Sequence, residues 1–272
     1  MAYKPNIPRV VLVTGDSAGI GRACCEQLAA SGRIVYGASR SEQGGPGWHH
    51  LRMDVTDEAS VAEGVAQITE NEGRIDAVVN AAGVSFGGPV EETTVDEAKR
   101  HFDVNTFGAV RVMRAVLPGM RERGSGKLLL IGSIGGLIGL RYLSYYSASK
   151  FALDGLVESI RPELRAFGID ATVIHPGDFK TELSSKAGVS AATLPGSPYH
   201  DAFQRSREFY RKAEEAARHP SVLASKIDRL LDRRRLPVRV VVGTPIELLG
   251  VGAKSALPSR LFEYIMHKTY GP

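Results

Sequence analysis

Val10-Val-Leu-Val-Thr14, followed at once by Gly15-Asp-Ser-Ala-Gly19-Ile-Gly21, decides how this chain folds. The apolar run reads as a buried strand. The glycines let the backbone turn tightly and approach a ligand closely, and a helix is expected from residue 22 to about residue 31, stopped by Gly32. Strand, glycine turn and helix N-terminus together make a phosphate site, because open amides and the helix dipole favour an anion. The spacing is Gly-x-x-x-Gly-x-Gly, and its place after a first strand points to a dinucleotide. Asp16 is the discordant residue, since a carboxylate in that turn would repel a phosphate.

Working outward, the second strand, Ile34-Val-Tyr-Gly-Ala-Ser39, ends at Arg40. An acidic residue at this strand end suits NAD by holding the ribose hydroxyls, whereas an arginine accommodates the 2′-phosphate of NADP. The acid is missing here, so NADP(H) is expected over NAD(H). A third strand over about 48–53 ends in Asp54-Val55, and Thr56 is placed to cap a helix that stops at Gly73. A fourth strand, 75–79, runs into Asn80-Ala-Ala-Gly83. Strands alternating with helices predict an α/β fold, a Rossmann-type doubly wound parallel sheet flanked by helices on both faces, with ligands at the strand C-terminal ends. Residues 1–272 are expected to form one domain.

The long helical pattern over 95–123 contains Asn105, which points to solvent unless it marks a kink. A fifth strand, Lys127-Leu-Leu-Leu-Ile-Gly132, delivers Ser133 at its end, and Tyr146-Ser-Ala-Ser-Lys150 opens the next helix. The i, i+4 spacing stacks the phenol and the ammonium on one helix face. A free phenol has a pKa of about 10, and a cation one turn away favours the phenolate, so Tyr146 is expected to have a lowered pKa and to exchange a proton. Ser133 supplies a hydroxyl to hold a substrate oxygen. Pro162 is expected to kink or break that helix. A sixth strand, 170–174, leads into His175-Pro-Gly-Asp-Phe-Lys-Thr181.

Residues 182–218 are polar and small, with Leu183, Val189, Leu194 and Phe203 scattered through them, and read as a mobile lid. A helix over 221–235 and a last strand over 238–242 precede a C-terminal extension, 244–272. Its Arg260-Leu-Phe-Glu-Tyr-Ile-Met-His-Lys268 is amphipathic; it reads as a segment packed on its own domain or a sister subunit, with a membrane surface as the alternative.

With 272 residues, 43% hydrophobic and 24% charged, the chain has ample core for such a fold. A net charge of +4 is too weak to argue for nucleic acid. Cys24 and Cys25 are adjacent and read as free thiols in a reducing compartment. There is no signal-peptide pattern, no apolar run of membrane-spanning length and no metal-ligand spacing, so a cytoplasmic protein without a metal site is expected.

Taken in order, Thr14-Gly-x-x-x-Gly-x-Gly21, Asn80-x-Ala-Gly83, Asn105, Ser133 with Tyr146-x-x-x-Lys150, and Pro176-Gly-x-x-x-Thr181 resemble the short-chain dehydrogenase/reductase family. The resemblance covers about residues 9–181 and, more weakly, the last strand. Gly132-Ser-Ile-Gly-Gly-Leu-Ile-Gly-Leu140 and Tyr146-Ser-Ala-Ser-Lys-Phe-Ala-Leu-Asp-Gly-Leu156 are similar to the branch holding the 17-beta-hydroxysteroid and retinol dehydrogenases. The resemblance implies an oxidoreductase interconverting a carbonyl and an alcohol, with Asn105, Ser133, Tyr146 and Lys150 catalytic. Asn105 would kink its helix and join a water relay to Lys150.

It implies cofactor contacts at Gly15, Ser17, Gly19, Ile20 and Gly21, at Ser39 and Arg40, and at Asp54 and Val55. Further contacts fall at Asn80, Ala81 and Gly83, at Tyr146 and Lys150, and at Pro176, Gly177, Phe179 and Thr181. Ala81 stands where a second asparagine is common, and Asp16 where a small neutral residue is usual. Partners implied are a small carbonyl or alcohol substrate and a sister subunit in a homodimer or homotetramer. Apolar residues around Val84-Ser-Phe86, Leu137-Ile-Gly-Leu140 and Tyr142 favour a lipophilic substrate, steroid-, retinoid- or fatty-carbonyl-like. The alternatives are a 3-oxoacyl thioester met by Lys180, Lys186 and Arg205, and a nucleotide-binding sensor or scaffold without turnover.

Overall fold

The computed structural model describes residues 9–181, 188–189 and 195–270. Seven parallel strands form its main sheet in the order β3-β2-β1-β4-β6-β7-β9. These are β1 (Val10–Thr14), β2 (Ile34–Ser39), β3 (His49–Arg52), β4 (Ala77–Asn80), β6 (Gly126–Ile131), β7 (Ile169–Pro176) and β9 (Arg239–Val242). A separate parallel pair joins β5 (Phe86–Gly87) to β8 (Gly188–Val189). Strand alternation divides the core into two layers. Val10, Leu12, Leu128 and Leu130 meet α2 (Glu58–Glu72), α4 (Gly108–Arg123) and α5 (Ser144–Arg165) on one face. Val11, Val13, Leu129 and Ile131 meet α1 (Gly19–Ala30) and α7 (Ser221–Leu231) on the other. Strand order reverses between β1 and β4, which puts the crevice for a ligand at their C-terminal ends.

Cys24 and Cys25 lie in the α1 layer, both fully buried and unbridged. Burial pushes the Cys24 thiol up to about 12 and raises Cys25 as well.

Several local expectations change. Asp57, not Thr56, caps α2: its carboxylate accepts from the amides of Ala59 and Ser60, while Thr56 donates its hydroxyl to Asp54 at 2.8 Å. The helix ends at Gly73 with φ +70°, as its glycine predicts. Pro162 does not break α5, which continues to Arg165. Arg161, beside it, donates to the carbonyls of Ala171, Leu236 and Pro237, so tertiary bonds hold the last turn where a backbone bond is missing.

Within 182–218, residues 182–187 and 190–194 are outside the described ones, Leu183, Lys186 and Leu194 among them. In the remainder, 200–216 form a regular helix, α6 (His200–Ala216), with Phe203 buried at 1% exposure. The extension forms α8 (Pro245–Ala256) and α9 (Ser259–Tyr270). A Thr244–Glu247 capping box starts α8, and Lys254 lies 4.7 Å from the Phe151 ring centroid of α5. Ile246, Leu249, Leu261, Tyr264 and Ile265 stay exposed, so much of the apolar surface of these helices is not covered by the other described residues. No helix among the described residues is long and apolar enough to cross a membrane.

The helical pattern over 95–123 is one segment with a π turn, Asp103–Phe107, between α3 (Val95–Phe102) and α4. That wider turn carries Asn105, which is turned inward at 2% exposure. Its Oδ1 accepts from the Val84 amide at 2.8 Å, and its Nδ2 donates to the Val84 carbonyl and to Ser149 Oγ, both at 3.0 Å. One side chain thus ties α4 to the loop after β4 and to α5. Asn105→Ala deletes three buried hydrogen bonds at about 1 kcal/mol each and should lower stability by about 2–4 kcal/mol. In thermal unfolding that corresponds to a fall in Tm of roughly 4–12 °C; an unchanged Tm would show that the π turn stands without it.

Candidate functional site

The C-terminal ends of β1, β4, β6 and β7 converge on one crevice edge. Ser133 follows β6, and its hydroxyl accepts from the Gly135 amide at 3.0 Å, opening a single 3-10 turn over Ile134–Gly136. A Cβ at Gly136 would strike the Lys150 backbone, so this turn must be glycine to lie against α5. Tyr146 and Lys150 project from the first turns of α5 and are buried at 8% and 6% exposure. Lys150 Nζ donates to the carbonyl of Ile131, the last residue of β6, at 2.9 Å and lies 5.9 Å from the Tyr146 ring centroid. Asn105 Oδ1 and Lys150 Nζ flank the same point beside Gly83.

The electrostatics differ from the simple expectation. Burial raises the Tyr146 pKa, a hydrogen bond with Ser133 lowers it less, and the nearby Asp178 carboxylate raises it further. Desolvation therefore outweighs any lowering by Lys150, whose own pKa burial brings down to about 8. Asp178 is itself pushed up to about 6 by burial and by the carboxylates of Glu247 and Glu214. In this state Tyr146 is a fully protonated phenol at neutral pH, next to a lysine that still carries charge.

On the dinucleotide side, Gly15 has φ +80°, and a Cβ on it would come within 2.9 Å of the Ala82 amide nitrogen. Thr14 Oγ1 accepts from the amides of Ala81 and Ala82, both at 3.1 Å, stitching β1 to the loop after β4. The N-terminus of α1 has no side-chain cap and no acidic residue in its first turn, which leaves its amides for an anion. Ser39 Oγ and Asn80 Nδ2 are buried polar atoms along the same edge without a hydrogen-bond partner among the described residues. Glycine cradle, open helix end and orphaned polar atoms fit a nicotinamide dinucleotide.

Asp54 accepts from the Thr56 amide and hydroxyl. Burial pushes its carboxyl up, but those bonds with the charges of Arg40 and Arg111 hold it below its usual range. Arg40 stands exposed past β2. Thr181 reaches the glycine turn, within 3.2 Å of a Cβ built on Gly19, and donates its hydroxyl to Glu214 at 2.7 Å. Not every predicted contact presents its side chain: Val55 packs under Gly108, with its carbonyl accepting from Arg111, and Phe179 enters the α1–α7 layer. Asp16 does not face the phosphate position; its side chain is fully buried and holds Trp48 and His50.

Sequence reasoning passed over the support behind Ser133. His175, fully buried at the end of β7, is 2.8 Å from the Ser133 carbonyl through Nδ1 and 3.2 Å from Asp154 Oδ2 through Nε2. Asp154 also takes a 2.7 Å bond from Arg239 of β9. Burial raises this carboxyl, and the partners His175 and Arg239 together bring it below its ordinary value. The signal was a histidine directly before Pro176-Gly177 at the end of a buried strand.

On the substrate side, Phe86, Leu140, Tyr142 and Phe203 gather beside the Ser133 turn. Tyr142 has φ +60°, and its ring meets Phe203 edge-on at 5.5 Å. Phe86 meets His101 edge-on at 4.8 Å, and Leu140 touches the space over Gly135.

Comparison with known proteins agrees with this geometry. The short chain dehydrogenase family matches residues 9–190. The 3-ketodihydrosphingosine reductase of Bacteroides thetaiotaomicron is 37% identical over 97% of this chain and 98% of its own. Human 17-beta-hydroxysteroid dehydrogenase type 1 is 36% identical over 79% of this chain and 71% of its own, which puts that branch nearby. A crystal structure of a short-chain dehydrogenase from Streptomyces avermitilis superposes with a TM-score of 0.81 at 31% identity, covering 97% of this chain and 99% of that one. A seven-stranded parallel sheet, a glycine turn at its switch point and a family match across most of its length make this chain a member of the short chain dehydrogenase family, oxidoreductases that use NAD(H) or NADP(H).

Proposed function

We propose that the protein is an NADP(H)-dependent reductase of a lipophilic ketone or aldehyde, working reversibly on the corresponding alcohol. The observation that carries this is the buried Tyr146 phenol, which shares the space over Gly135 with the Ser133 hydroxyl, one helical turn from the buried Lys150. The bound nicotinamide dinucleotide supplies or takes the hydride. Ser133 holds and polarises the carbonyl oxygen with its hydroxyl, and Tyr146 gives that oxygen its proton. The phenol carries its proton at neutral pH and can give it to the carbonyl oxygen. Lys150 offsets the negative charge that develops on the phenol oxygen and binds the nicotinamide ribose. Asn105 Oδ1 and Lys150 Nζ flank one point beside Gly83, where a water would complete the relay that returns the proton.

Arg40, with no acid at the end of β2, selects the 2′-phosphate, while Asp54 meets the adenine. Phe86, Leu140, Tyr142 and Phe203 supply an apolar wall at about 25 cal/mol per Å² of buried surface. A relative whose name specifies 3-ketodihydrosphingosine supports a long-chain ketone. Pairing through α4 and α5 into a homodimer or homotetramer suits the exposed Phe107, with Lys254 already covering part of Phe151. Light scattering at micromolar concentration should give a dimer or tetramer; a monomer overturns the pairing.

The reaction is tested with a carbonyl panel followed by NADPH absorbance. Tyr146→Phe should lower kcat by at least about a hundredfold with cofactor affinity little changed, and Ser133→Ala by a comparable factor. Near-normal turnover of the Phe variant refutes the proton donor. In the wild type, reduction should slow as pH rises through about 8, where Lys150 loses its charge.

Cofactor choice is read in the same assay. Arg40→Leu should erase a preference for NADPH of about ten- to a hundredfold, equivalent to a contact of roughly 1.5–3 kcal/mol. Equal efficiency with NADH in the wild type contradicts the reading of Arg40.

A further inference from the structure

Asp16 occupies a turn that binds phosphate, yet its side chain is buried at 0% exposure. Its Oδ2 receives the Trp48 indole N–H at 3.0 Å and His50 Nδ1 at 2.7 Å. The other ring nitrogen of His50, Nε2, faces the Ser41 carbonyl at 3.0 Å. A neutral imidazole has one N–H and one lone pair. A ring set between a carboxylate and a carbonyl needs a proton on both nitrogens, so this geometry calls for an imidazolium. The loop after β2 is built over the pair. A Cβ at Gly44 would strike His50, one at Gly45 would strike Trp48, and one at Gly37, inside β2, would strike both Asp16 and Trp48.

The charges facing the ring agree. Burial lowers the His50 pKa, and the Ser41 carbonyl, Asp16 and Glu42 together outweigh it, leaving the value above that of a free histidine. Glu42 is paired with Arg52 of β3 at 3.2 Å, and Cys25 of α1, which faces Asp16, is kept as a neutral thiol by burial.

We infer that His50 is a positioning residue for the adenosine end of the cofactor: as an imidazolium it clamps Asp16 of the glycine turn to the Ser41 carbonyl and so fixes the Arg40–Ser41 turn for the 2′-phosphate. This rests on the NADP reading above. The clamp also offsets the Asp16 charge, which would otherwise stand beside the Arg40–Ser41 segment. When His50 loses its proton, Nδ1–H stays with the buried carboxylate and the Nε2 lone pair is left facing the Ser41 oxygen. The turn is released and Asp16 becomes an uncompensated anion beside it; both effects weaken 2′-phosphate binding.

The test is titration calorimetry of adenosine 2′,5′-bisphosphate and adenosine 5′-monophosphate on the full chain from about pH 6.5 to about pH 9, above the titration of the phosphate itself at about 6. Bisphosphate affinity should fall about tenfold as pH rises through the His50 pKa, the loss expected for one charge-assisted hydrogen bond, while the monophosphate changes by less than about twofold. His50→Gln should bind the bisphosphate at the weak level across the whole range. Asp16→Asn with His50→Gln, which leaves no buried unpaired charge, should give the same flat profile and guards against a folding defect. Ring 1H–15N spectra of the wild type without ligand should show both His50 nitrogens protonated near pH 7. A neutral ring there, a flat wild-type bisphosphate profile, or a slope retained in both variants overturns the clamp. If the wild type fails to prefer bisphosphate over monophosphate even at the low end, the NADP reading fails, and the ring spectra then judge the imidazolium by itself.

Discussion

Lys150 is a buried ammonium whose described hydrogen bond goes to the carbonyl of Ile131. Burying that charge is costly, and the bond that offsets it runs from the catalytic face of α5 to the end of β6. The distance between Tyr146 and Ser133 is fixed through it, because one residue stands a turn before Lys150 and the other two residues after Ile131. Gly136 is a glycine because a Cβ there would strike the backbone of this lysine. Asn105, through Ser149, braces the same helix from the opposite side. The cluster therefore behaves as one packed unit, in which altering any tie shifts the phenol relative to the hydroxyl.

Most of the fold was legible because buried parallel strands leave a strong trace. Continuous apolar runs such as Val10–Val13 and Leu128–Ile131 have no solvent face to interrupt them. Glycines with positive φ at Gly32 and Gly73 marked helix ends correctly. What misled was chemistry decided between distant segments. Pro162 looks like a breaker until Arg161 is seen to reach three carbonyls outside its helix. The polar composition of 182–218 hid a regular helix over 200–216 that buries Phe203. Capping by Asp57 rather than Thr56 is a one-residue choice, settled when Asp54 takes the threonine hydroxyl.

The candidate site was legible as residue types at family spacings, and its electrostatics were not. An i, i+4 phenol and ammonium suggest a lowered phenol pKa, but burial is a property of the whole fold and outweighs the neighbour. Asp16 reads as a hazard in one dimension because His50 is 34 residues away. His175 is equally silent until β6 and β7 pair and bring it against Ser133. For Asp16 and Ser133 the deciding partner lies on another strand of the sheet, remote in sequence.

The paired thiols of α1 have a practical consequence. Cys24 and Cys25 are fully buried, and burial suppresses the thiolate that alkylating reagents attack. They belong to α1, whose N-terminus continues from the glycine turn, and share a core layer with α7 on the same face of the sheet. Any thiol reactivity in solution thus reports the fraction of molecules in which α1 has lifted from the sheet. The chain carries a built-in probe of local opening at its nucleotide-binding half, readable without a label.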